Sequence, residues 1–376
     1  MTASRLVLVG AGHAHLHLVR EADRLRAAGL AVTLIAPCRF QYSGLASGVL
    51  SGALEVEAAE IDVVALAADF GVRHLPQPVT AIDRKARTLT LAGGATEPFD
   101  VLSLNIGSLA SDPHGLAAHA GVWPVKPLAN LFALRARIEV EIARGGPSPR
   151  MMVAGGGQSA LEIAASLCGL IEKAGLRPDV TVAAPVFGAT LPAAARARLL
   201  ASLTKRGVSL RTGTVVGREA DACRLADGAV WPCDHLVLAT GLVAPPLIDD
   251  LALPVDGDGR LRVTATLQSV GDSAIFAAGD CAVIADDPRP AAGIFGVRAA
   301  PVLLNNLAAM GNDRPLKTYQ PQRRWLSIMD LGDGCGLAIR GQFWSLGRPA
   351  LRFKRYLDLG FVRRMRALPH TTGERP

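Results

Sequence analysis

The amino-acid sequence predicts an α/β protein made of two related β-α-β units followed by a small α+β region. The first observation is an apolar strand, a glycine turn and a helical pattern at residues 6–25. The second is the return of the same order at residues 151–168. The third is an apolar strand that ends in a glycine in each half, at residues 102–107 and 236–241. Because whole units recur in register, we expect two folded units of similar size.

Length and composition exclude several classes of protein. The chain has 376 residues, 50% hydrophobic and 19% charged, which suits two or three domains with apolar cores rather than a disordered chain. No unbroken apolar run reaches the roughly 18 residues of a membrane-spanning helix, and the first strand is too short for a signal peptide. The six cysteines form no CxxC pair and no zinc pattern. We therefore expect a cytoplasmic protein without a metal site.

The two glycine turns have the form of phosphate-binding loops. In the first turn, GAGHAH at residues 10–15, Gly10 permits a tight turn and Gly12 lets a pyrophosphate approach the start of the following helix. In the second turn, GGGQSALE at residues 155–162, Gly155 and Gly157 occupy the same places. One such turn is a weak signal. Two of them in the same context predict two dinucleotide-binding sites.

A further apolar strand, at residues 272–279, ends in Gly279-Asp280. A carboxylate beside a glycine turn at the end of a strand can accept hydrogen bonds from the hydroxyls of a cofactor. The alternative is that Asp280 caps the helix that follows.

These motifs, with ATG at 239–241 and FAAGD at 276–280, resemble the flavoproteins with two dinucleotide-binding domains, the pyridine nucleotide-disulfide oxidoreductase superfamily. Within it the chain is most similar to type II NADH dehydrogenases and to the flavoprotein portion fused to selenide, water dikinases. The resemblance implies two nested Rossmann-like domains of the glutathione-reductase kind. Their expected boundaries are 1–112 plus 243–318 for the FAD-binding domain, 113–242 for the NAD(P)-binding domain and 319–376 for a basic interface or membrane-associating region.

The resemblance also implies FAD as cofactor and NAD(P)H as co-substrate, and it assigns residues to each. Val79 would meet the adenine through its backbone, Asp280 would bind the ribitol, and a helix beginning at residues 292–296 would point at the flavin. The residues assigned to FAD are Gly10, Ala11, Gly12, His13, Arg39, Val79, Gly107, Gly279, Asp280, Gly293, Ile294 and Phe295. Those assigned to NAD(P)H are Gly155, Gly157, Gln158, Ser159 and Gly241.

The sequence departs from the family where a carboxylate usually binds a ribose. The second strand of each unit ends in Ala-Pro, at residues 36–37 and 184–185, rather than in an acid. For FAD, we expect Arg39 to compensate by contacting adenine or phosphate. For NAD(P)H, Arg196 and Arg198 either reach a 2′-phosphate or form an exposed helix face, so the choice between NADH and NADPH stays open.

The chemistry predicted from the resemblance is hydride transfer from NAD(P)H to flavin, then electron transfer to a quinone or similar small acceptor. Residues 39–44 replace the redox disulfide of glutathione-reductase relatives, so electrons pass directly to an external acceptor. Glu162, near the nicotinamide, and Tyr42 are the catalytic candidates, and the acceptor side comprises Tyr42, Ser43, Gly44 and Lys126. Tyr42 either stacks on an aromatic ring or donates a hydrogen bond to a quinone oxygen, or it is simply a tyrosine in a turn. Lys126 either reaches the flavin cleft or is a solvated lysine of the linker.

The three histidines of the first turn suggest a metal, but no carboxylate or cysteine accompanies them. We instead expect His13 to help neutralise a phosphate or contact the flavin side, and His15 to replace the third glycine of the motif.

Two alternative functions remain. A sulfide:quinone-type oxidoreductase would use Cys168 and Cys335, although Cys168 falls on the apolar face of its helix and reads as core. The other is a protein that binds FAD but has lost turnover and serves as a redox sensor or partner subunit.

The carboxyl-terminal region carries the excess charge. From residue 321 to 376 there are eleven Lys/Arg and four Asp/Glu, an excess equal to the whole net charge of +7. We expect an amphipathic helix with one apolar face formed by Phe353, Tyr356, Leu357, Phe361 and Met365. That helix either binds an anionic membrane surface, which would make the protein peripheral on the cytoplasmic face, or caps the body or joins two copies in a homodimer. No nucleic-acid-binding signature accompanies the charge.

Overall fold

The structure is a computed structural model and describes residues 3–312 and 314–366. The elements of the first part of the chain are β1 (Ser4–Val9), α1 (His13–Arg20), α2 (Ala22–Ala27), β2 (Leu30–Ile35), β3 (Arg39–Gln41), α3 (Ala46–Leu50), β4 (Glu60–Asp62), α4 (Val63–Asp69), β5 (Arg73–Leu75), β6 (Val79–Asp83), β7 (Thr88–Leu91), β8 (Thr96–Pro98), β9 (Val101–Leu104) and β10 (Leu109–Ala110). The apolar spacing of Leu18, Ala22 and Leu25 predicts one helix between the first glycine turn and Gly29; the structure divides it at Glu21 into α1 and α2.

The middle of the chain contains β11 (Val122–Pro124), α5 (Ala129–Ala143), β12 (Arg150–Ala154), α6 (Gln158–Lys173), β13 (Asp179–Ala184), α7 (Ala193–Lys205), β14 (Val208–Thr212), β15 (Val215–Glu219), β16 (Ala222–Leu225), β17 (Val230–Pro232) and β18 (His235–Leu238). The remaining elements are β19 (Leu242–Val243), β20 (Leu261–Val263), β21 (Gln268–Ser269), β22 (Asp272–Ala277), β23 (Ala282–Ile284), α8 (Gly293–Met310), β24 (Ser327–Asp330), β25 (Gly336–Arg340), β26 (Phe343–Gly347) and α9 (Arg348–Met365).

Two sheets confirm the predicted α/β class. The larger has the order β23-β20-β21-β22-β9-β1-β2-β5, and the smaller, wholly parallel sheet has the order β11-β18-β12-β13-β14. Within the larger sheet the run β22-β9-β1-β2-β5 is also parallel. The central strands of both runs are buried along nearly their whole length, as expected for parallel strands covered on two faces.

The two runs match strand for strand. In each run the glycine turn follows the central strand, which is β1 in the larger sheet and β12 in the smaller. The strand order reverses beside that strand, between β1 and β9 in the larger sheet and between β12 and β18 in the smaller. The fifth strand comes from outside the repeated unit in both cases, because β11 precedes the second unit and β22 follows it along the chain. The chain passes from the larger sheet to the smaller one through β10 and returns through β19, and these two short strands pair with each other in antiparallel fashion.

The first glycine of each turn is fixed by the same close approach. Gly10 (φ 87°) and Gly155 (φ 130°) both have left-handed backbones, and a Cβ on either would overlap a carbonyl at the end of the neighbouring strand. That carbonyl belongs to Asn105 after β9 and to Ala239 after β18. The two turns are therefore equivalent in backbone geometry as well as in sequence.

The carboxyl-terminal region is a three-stranded sheet, β24-β25-β26, against which α9 packs. The apolar face expected for this helix is covered unevenly: Phe361 is buried and Met365 packs on the core, whereas Phe353, Tyr356 and Leu357 are exposed. The body covers only the later part of the predicted face. Residues 367–376 of the predicted 319–376 region lie outside the described residues.

By length and composition, α8 is the one described helix that could cross a bilayer, although no unbroken apolar run indicates it in the sequence. Helices in the cores of soluble proteins pass the same test, and half of α8 is buried inside this protein.

Candidate nucleotide-binding clefts

A cleft of about 680 Å³ opens at the glycine turn of the second unit. Its wall includes all five residues that the sequence assigned to NAD(P)H, from Gly155 to Ser159 and Gly241. Gly157 precedes the first turn of α6, and a Cβ there would meet nothing within 4 Å. The positive end of α6 therefore faces open space, which is the arrangement that binds a phosphate.

The cleft does not end at the second unit. Its wall continues to Ser43 and Ser47 of the first unit and to Lys126 in the connection between the two sheets. Glu162, one turn further along α6 than Gln158, also lines it. A volume of this size lies within the range of about 300–1,000 Å³ typical of sites for cofactor-sized ligands.

The end of β13 is uncharged where a ribose carboxylate is usual. Ala184, Pro185, Val186 and Thr190 line the cleft there. Among the described residues, the wall of the cleft includes neither Arg196 nor Arg198 of α7, and Arg198 is exposed. The exposed-face interpretation therefore fits Arg198.

In the first unit the corresponding helix end is occupied by Asn105. Its Oδ1 accepts hydrogen bonds from the N–H groups of Ala14 (3.0 Å) and His15 (3.2 Å), and its Nδ2 donates to the Ala278 carbonyl at 2.6 Å. A Cβ on Gly12 would overlap this carboxamide. The equivalent residue of the second unit is Ala239, which has no carboxamide. The start of α1 is therefore occupied by the Asn105 side chain, whereas the start of α6 is open.

His15 takes a structural place rather than a metal-binding one. The ring is fully buried, with Nδ1 2.7 Å from the Gly10 carbonyl and Nε2 2.8 Å from the Ser103 hydroxyl. Burial lowers the pKa of His15 to about 4, so the ring is neutral at pH 7. Neutral imidazole donates through one nitrogen and accepts through the other, which fits these two partners.

Asp280, predicted to bind ribitol, follows β22 and is nearly buried. Its Oδ2 lies 3.1 Å from the Ser108 hydroxyl and 3.1 Å from Lys126 Nζ. Lys126 is thus an ion-pair partner of Asp280 and not a solvated linker lysine. Helix α8 begins at Gly293, as the sequence predicts, and its first turn comes against His13 and Gly279.

His13 begins α1 directly after the first glycine turn, and its expected role at a phosphate or on the flavin side stays a prediction. Burial lowers its pKa to about 4 despite the nearby Asp280 carboxylate. Its ring packs against three aromatic rings with centroids 5.3–5.4 Å away, those of Phe40, Tyr42 and Phe361. His13 therefore contributes to an aromatic cluster between the first turn and α9.

The loop predicted to face the acceptor is covered in part by α9. The Tyr42 ring stacks on Phe361 at 4.8 Å, and its hydroxyl donates to Asp358 Oδ1 at 2.9 Å. Burial, followed by the Asp358 charge, raises the pKa of Tyr42. Gly44 accepts a hydrogen bond from Lys354 Nζ through its carbonyl, and Ser43 lines the cleft. Of the loop residues named from the sequence, Ser43 is the one that reaches the described cleft wall.

Glu162 joins a charged cluster that connects α6 to the carboxyl-terminal region. Its Oε1 accepts a hydrogen bond from the Asp330 N–H at 2.8 Å. Burial raises the pKa of Glu162, while the charge of Lys354 lowers it. For Lys354, burial alone would lower the pKa. The negative charges of Glu162 and Asp358 have the larger effect, so the pKa of Lys354 is raised. Lys354 Nζ lies 2.9 Å from Asp358 Oδ2.

Two predicted FAD residues lie further out. Arg39, the first residue of β3, is exposed and lies 3.6 Å from the Glu60 carboxylate. Val79 begins β6, in the small antiparallel sheet β6-β7-β8, and is partly buried. No contact in the described residues tests their roles at the adenine end, so both stay predictions.

The residues present fit both predicted groups. For a dinucleotide at the second unit, there is an open helix end with a small-residue turn and a cleft of suitable volume. For a flavin dinucleotide at the first unit, the glycine turn, the Asp280 carboxylate and the amino terminus of α8 converge. Gly107 adds open space, because a Cβ there would meet nothing within 4 Å.

Sequence reasoning missed three residues at the site. Asn105 lies in the apolar strand and glycine turn at residues 102–107 but had no assigned role. Lys354 and Asp358 lie in the helix expected to bind a membrane, cap the body or join two copies. The i, i+4 spacing of Lys354 and Asp358 is a readable ion-pair signal. Nothing in the sequence indicates that this pair is buried against Glu162.

Comparison with known proteins agrees with the geometry. The family model described as "Pyridine nucleotide-disulphide oxidoreductase" matches residues 4–301. The chain is 28% identical over 312 residues to an NADH dehydrogenase-like protein of Mycobacterium tuberculosis, covering 77% of this chain and 76% of the relative. It is 28% identical over 313 residues to a demethylphylloquinone reductase of Synechocystis sp., covering 78% and 76%.

Among solved structures, the fold is similar to that of the sulfide:quinone oxidoreductase from Aquifex aeolicus. The TM-score is 0.78, the identity is 18%, and the match covers 98% of this chain and 93% of the other.

Proposed function

This chain belongs to the pyridine nucleotide-disulphide oxidoreductase family and is an FAD-dependent oxidoreductase of NAD(P)H, and from that premise we propose that it delivers the electrons to a quinone. Bound FAD would supply the redox chemistry, taking a hydride from NAD(P)H and giving electrons to the acceptor. The protein's own part is to bind, orient and hold charge.

The observation that carries the proposal is the continuity of the cleft. One wall runs from the open end of α6, at Gly157, to Ser43, Ser47 and Lys126 beside the first unit. A dinucleotide whose pyrophosphate lies at α6 would thus extend toward Asp280, which lies 3.1 Å from Lys126. The two predicted nucleotide sites therefore open on each other, as direct hydride transfer requires.

The residues of the first unit have separable tasks. The carboxylate of Asp280 would hold ribitol hydroxyls, and Ser108 fixes that carboxylate. The amino terminus of α8, beginning at Gly293, presents its positive end to the same place and would stabilise negative charge there.

Glu162 would hold a proton for the acceptor. Since its Oε1 accepts from the Asp330 N–H, the proton would be carried by Oε2. Its raised pKa keeps more of the carboxyl protonated than an exposed glutamate would be. Lys354, in the same cluster, stabilises the carboxylate after the proton leaves.

A quinone acceptor is favoured by three features. Residues 39–44 contain no pair of cysteines to relay electrons. The relative from Synechocystis sp. is named as a quinone reductase. Exposed apolar side chains on β26 and α9 (Phe343, Trp344, Phe353, Tyr356, Leu357) also lie on the region that covers the Tyr42 loop. A lipophilic acceptor would be delivered to such a surface from a bilayer.

The proposal includes a peripheral membrane location through this surface, which we call the apolar tail surface. Arg352 and Arg363 are exposed on α9, and Arg340 is exposed at the end of β25, opposite Phe343 of β26. Apolar side chains flanked by cations favour an anionic bilayer on the cytoplasmic side. A homodimer that covers this surface is the competing proposal.

Within the family, we place this chain near the type II NADH dehydrogenases because of the Mycobacterium tuberculosis relative. The further resemblance to the flavoprotein portion fused to selenide, water dikinases rests on sequence segments alone and remains a prediction.

The sulfide-oxidising alternative lacks the required thiols at the cleft. Cys168 lies ten residues beyond Gln158 on α6, about 15 Å along the helix, and is fully buried. Burial raises the pKa of Cys168 to about 12, so the thiolate is scarce at neutral pH. Cys335 follows an exposed turn, outside the described cleft wall.

The test is an anaerobic titration of the purified holoenzyme with NADH and with NADPH, followed by a soluble quinone. Bleaching of the flavin band by a nicotinamide and its return on adding quinone, with turnover in the steady state, is the expected result. A flavin that resists both nicotinamides would support the redox-sensor alternative. Rapid reoxidation by a [2Fe–2S] ferredoxin but not by quinone would replace the quinone with a protein acceptor.

A further inference from the structure

Two buried cysteines meet in the small antiparallel sheet β15-β16-β17. Cys223 lies in β16 opposite Trp231 of β17, and Cys233 follows two residues after Trp231, so both cysteines lie on one face. Both are 0% exposed, within an apolar cluster that includes Met152 and Leu236. One guanidinium nitrogen, Nη1 of Arg218, contacts both Cys223 Sγ and the Cys233 carbonyl, and each thiol shifts the pKa of the other. Neither residue belongs to the cleft.

A buried arginine completes the cluster. Nη1 of Arg218 lies 3.8 Å from Cys223 Sγ and 2.7 Å from the Cys233 carbonyl, and Nη2 donates to the Asp234 carbonyl at 2.9 Å. Arg218 is 7% exposed, and its Nε is buried without a hydrogen-bond partner. Among the described residues no carboxylate forms an ion pair with it. A buried cation without a counter-charge is costly, and a thiolate at Cys223 would supply that charge.

The two thiols are therefore unequal. Cys233 and the nearby Arg218 lower the pKa of Cys223, whereas Cys223 and burial raise the pKa of Cys233. Cys168 provides the contrast within this chain. It also lies near an arginine, Arg206, but that guanidinium is already paired with Glu172, and burial raises the pKa of the Cys168 thiol.

We propose that Cys223 and Cys233 form an oxidative modification site at which a hydroperoxide converts the dithiol to a disulfide. The Cys223 thiolate attacks one peroxide oxygen, the O–O bond breaks, and the leaving oxygen takes a proton to form water. The resulting sulfenic acid is attacked by the Cys233 sulfur, so that an S–S bond forms and the S–O bond breaks. The departing hydroxide takes the Cys233 proton. Two thiols and one hydrogen peroxide thus give one disulfide and two waters.

The fold offers a route for the oxidant. Strand β17 is at the edge of its sheet, with Val230 and Pro232 exposed on either side of Trp231. Opening of this short edge strand would expose the cysteine pair to a small uncharged molecule such as hydrogen peroxide. The site is independent of the proposed quinone reduction, because its residues lie outside the cleft.

The test uses the holoenzyme treated with hydrogen peroxide, quenched in acid, alkylated in denaturant and digested with trypsin. Arg218, Arg224 and Arg260 place the cysteines in separate peptides, 219–224 and 225–260. We expect these two peptides to be joined by a disulfide that dithiothreitol cleaves. Treated protein in which the exposed Cys38 is oxidised but the two peptides are not joined would overturn the proposal, and this readout needs no variant.

Three variants sharpen the assignment. In Cys233→Ser we expect a sulfenic acid at Cys223 that dimedone traps, because the resolving thiol is gone. In Arg218→Met we expect linkage of the two peptides to slow at least 10-fold. Cys168→Ala is the matched control and should link at the parental rate. Equal rates in the parent and Arg218→Met would overturn the role of the arginine, and dimedone labelling at Cys233 in preference to Cys223 would reverse the order of attack.

Discussion

Asn105 Oδ1 lies 3.0 Å from the N–H of Ala14, 91 residues earlier in the chain, and caps the helix that follows the first glycine turn. The same carboxamide donates to the Ala278 carbonyl after β22. One side chain thus connects the ends of β9 and β22 to the first glycine turn, close in sequence to Asp280, the residue expected to bind the ribitol. In the second unit Ala239 leaves that space to the cleft.

We expect Asn105→Ala to destabilise the protein by about 2–3 kcal/mol, because two helix N–H groups and one carbonyl lose their buried partner. Urea unfolding of the apoprotein measures the change, and absorbance of the purified variant measures a loss of bound flavin. Asn312→Ala, at an exposed asparagine whose side-chain amide donates to the Ala308 carbonyl, is the control and should change neither. Unchanged stability in Asn105→Ala would contradict the capping role.

Glu162→Gln should separate the two half-reactions. We expect flavin reduction by NAD(P)H within about 3-fold of the parent, and quinone reduction slowed by roughly 100-fold because the proton donor is lost. In the parent, quinone reduction should fall as pH rises through the raised pKa of Glu162, whereas the variant should show no such step. Stopped-flow measurements of both steps decide; equal slowing of the two would assign Glu162 to positioning of the nicotinamide.

Lys354→Met should destabilise the protein by about 3 kcal/mol near neutral pH, because it leaves the partly buried carboxylates of Glu162 and Asp358 without their cation. The folded-state pKa of Lys354 is raised, so its stabilisation is complete below its ordinary pKa of about 10.5 and is lost as pH rises through the folded value. The difference between parent and variant should therefore narrow above about pH 10.5. Lys85→Met, at an exposed lysine, serves as the reference; a gap that stays constant to pH 11.5 would argue against the coupling.

Asp280→Ala should yield protein largely free of FAD, with at least a 10-fold weaker affinity on reconstitution, since the carboxylate that would bind the ribitol is gone. Lys126→Ala removes the cation 3.1 Å from the same carboxylate but leaves Asp280 in place. We expect it to retain FAD. Flavin absorbance per protein, with tryptophan fluorescence during titration, measures both. A fully loaded Asp280→Ala variant would remove this residue from the FAD site.

The apolar tail surface should govern binding to lipid. Exposure is 83% at Phe343, 49% at Phe353 and 69% at Tyr356, so changing all three to Ser costs little folding energy. We expect this triple variant to lose sedimentation with phosphatidylglycerol vesicles. A matched triple change at exposed valines of the body, Val64, Val140 and Val270, should sediment like the parent. If neither protein sediments and the parent alone is dimeric, the surface is a contact between subunits.

The repeated units could be predicted because local signals agree with the fold. Gly10 and Gly155 indicate the tight turns, and the strands are continuous apolar runs. An apolar strand that ends in glycine closes each unit at the same position in its order of elements. These are patterns of a few neighbouring residues, and they predict the sheets and the glycine turn at Gly157. The start of α8 at Gly293 instead followed from the resemblance to the family.

What could not be predicted depends on distant partners. The lowered pKa of His13 follows from its burial, and one of the rings packed on it, Phe361, lies far along the chain, where no local pattern reports the contact. The apolar face of α9 divides because the body reaches Phe361 but leaves Phe353 exposed. Asn105 could not be assigned its task, since its partners lie 90 and 173 residues away. The roles of Arg39 and Val79 remain predictions.

The origin of the fifth strand in each parallel run has a consequence for synthesis on the ribosome. The smaller sheet receives β11 before its other strands emerge, so it can close as soon as β18 is made. The larger sheet instead awaits β22, which follows the whole of residues 113–242. Until then the apolar edge of β9 is unpaired, open to wrong strands and to chaperones. The second unit can therefore complete its sheet before the first unit does. During synthesis the segment most exposed to aggregation is the first unit, although it is made earlier.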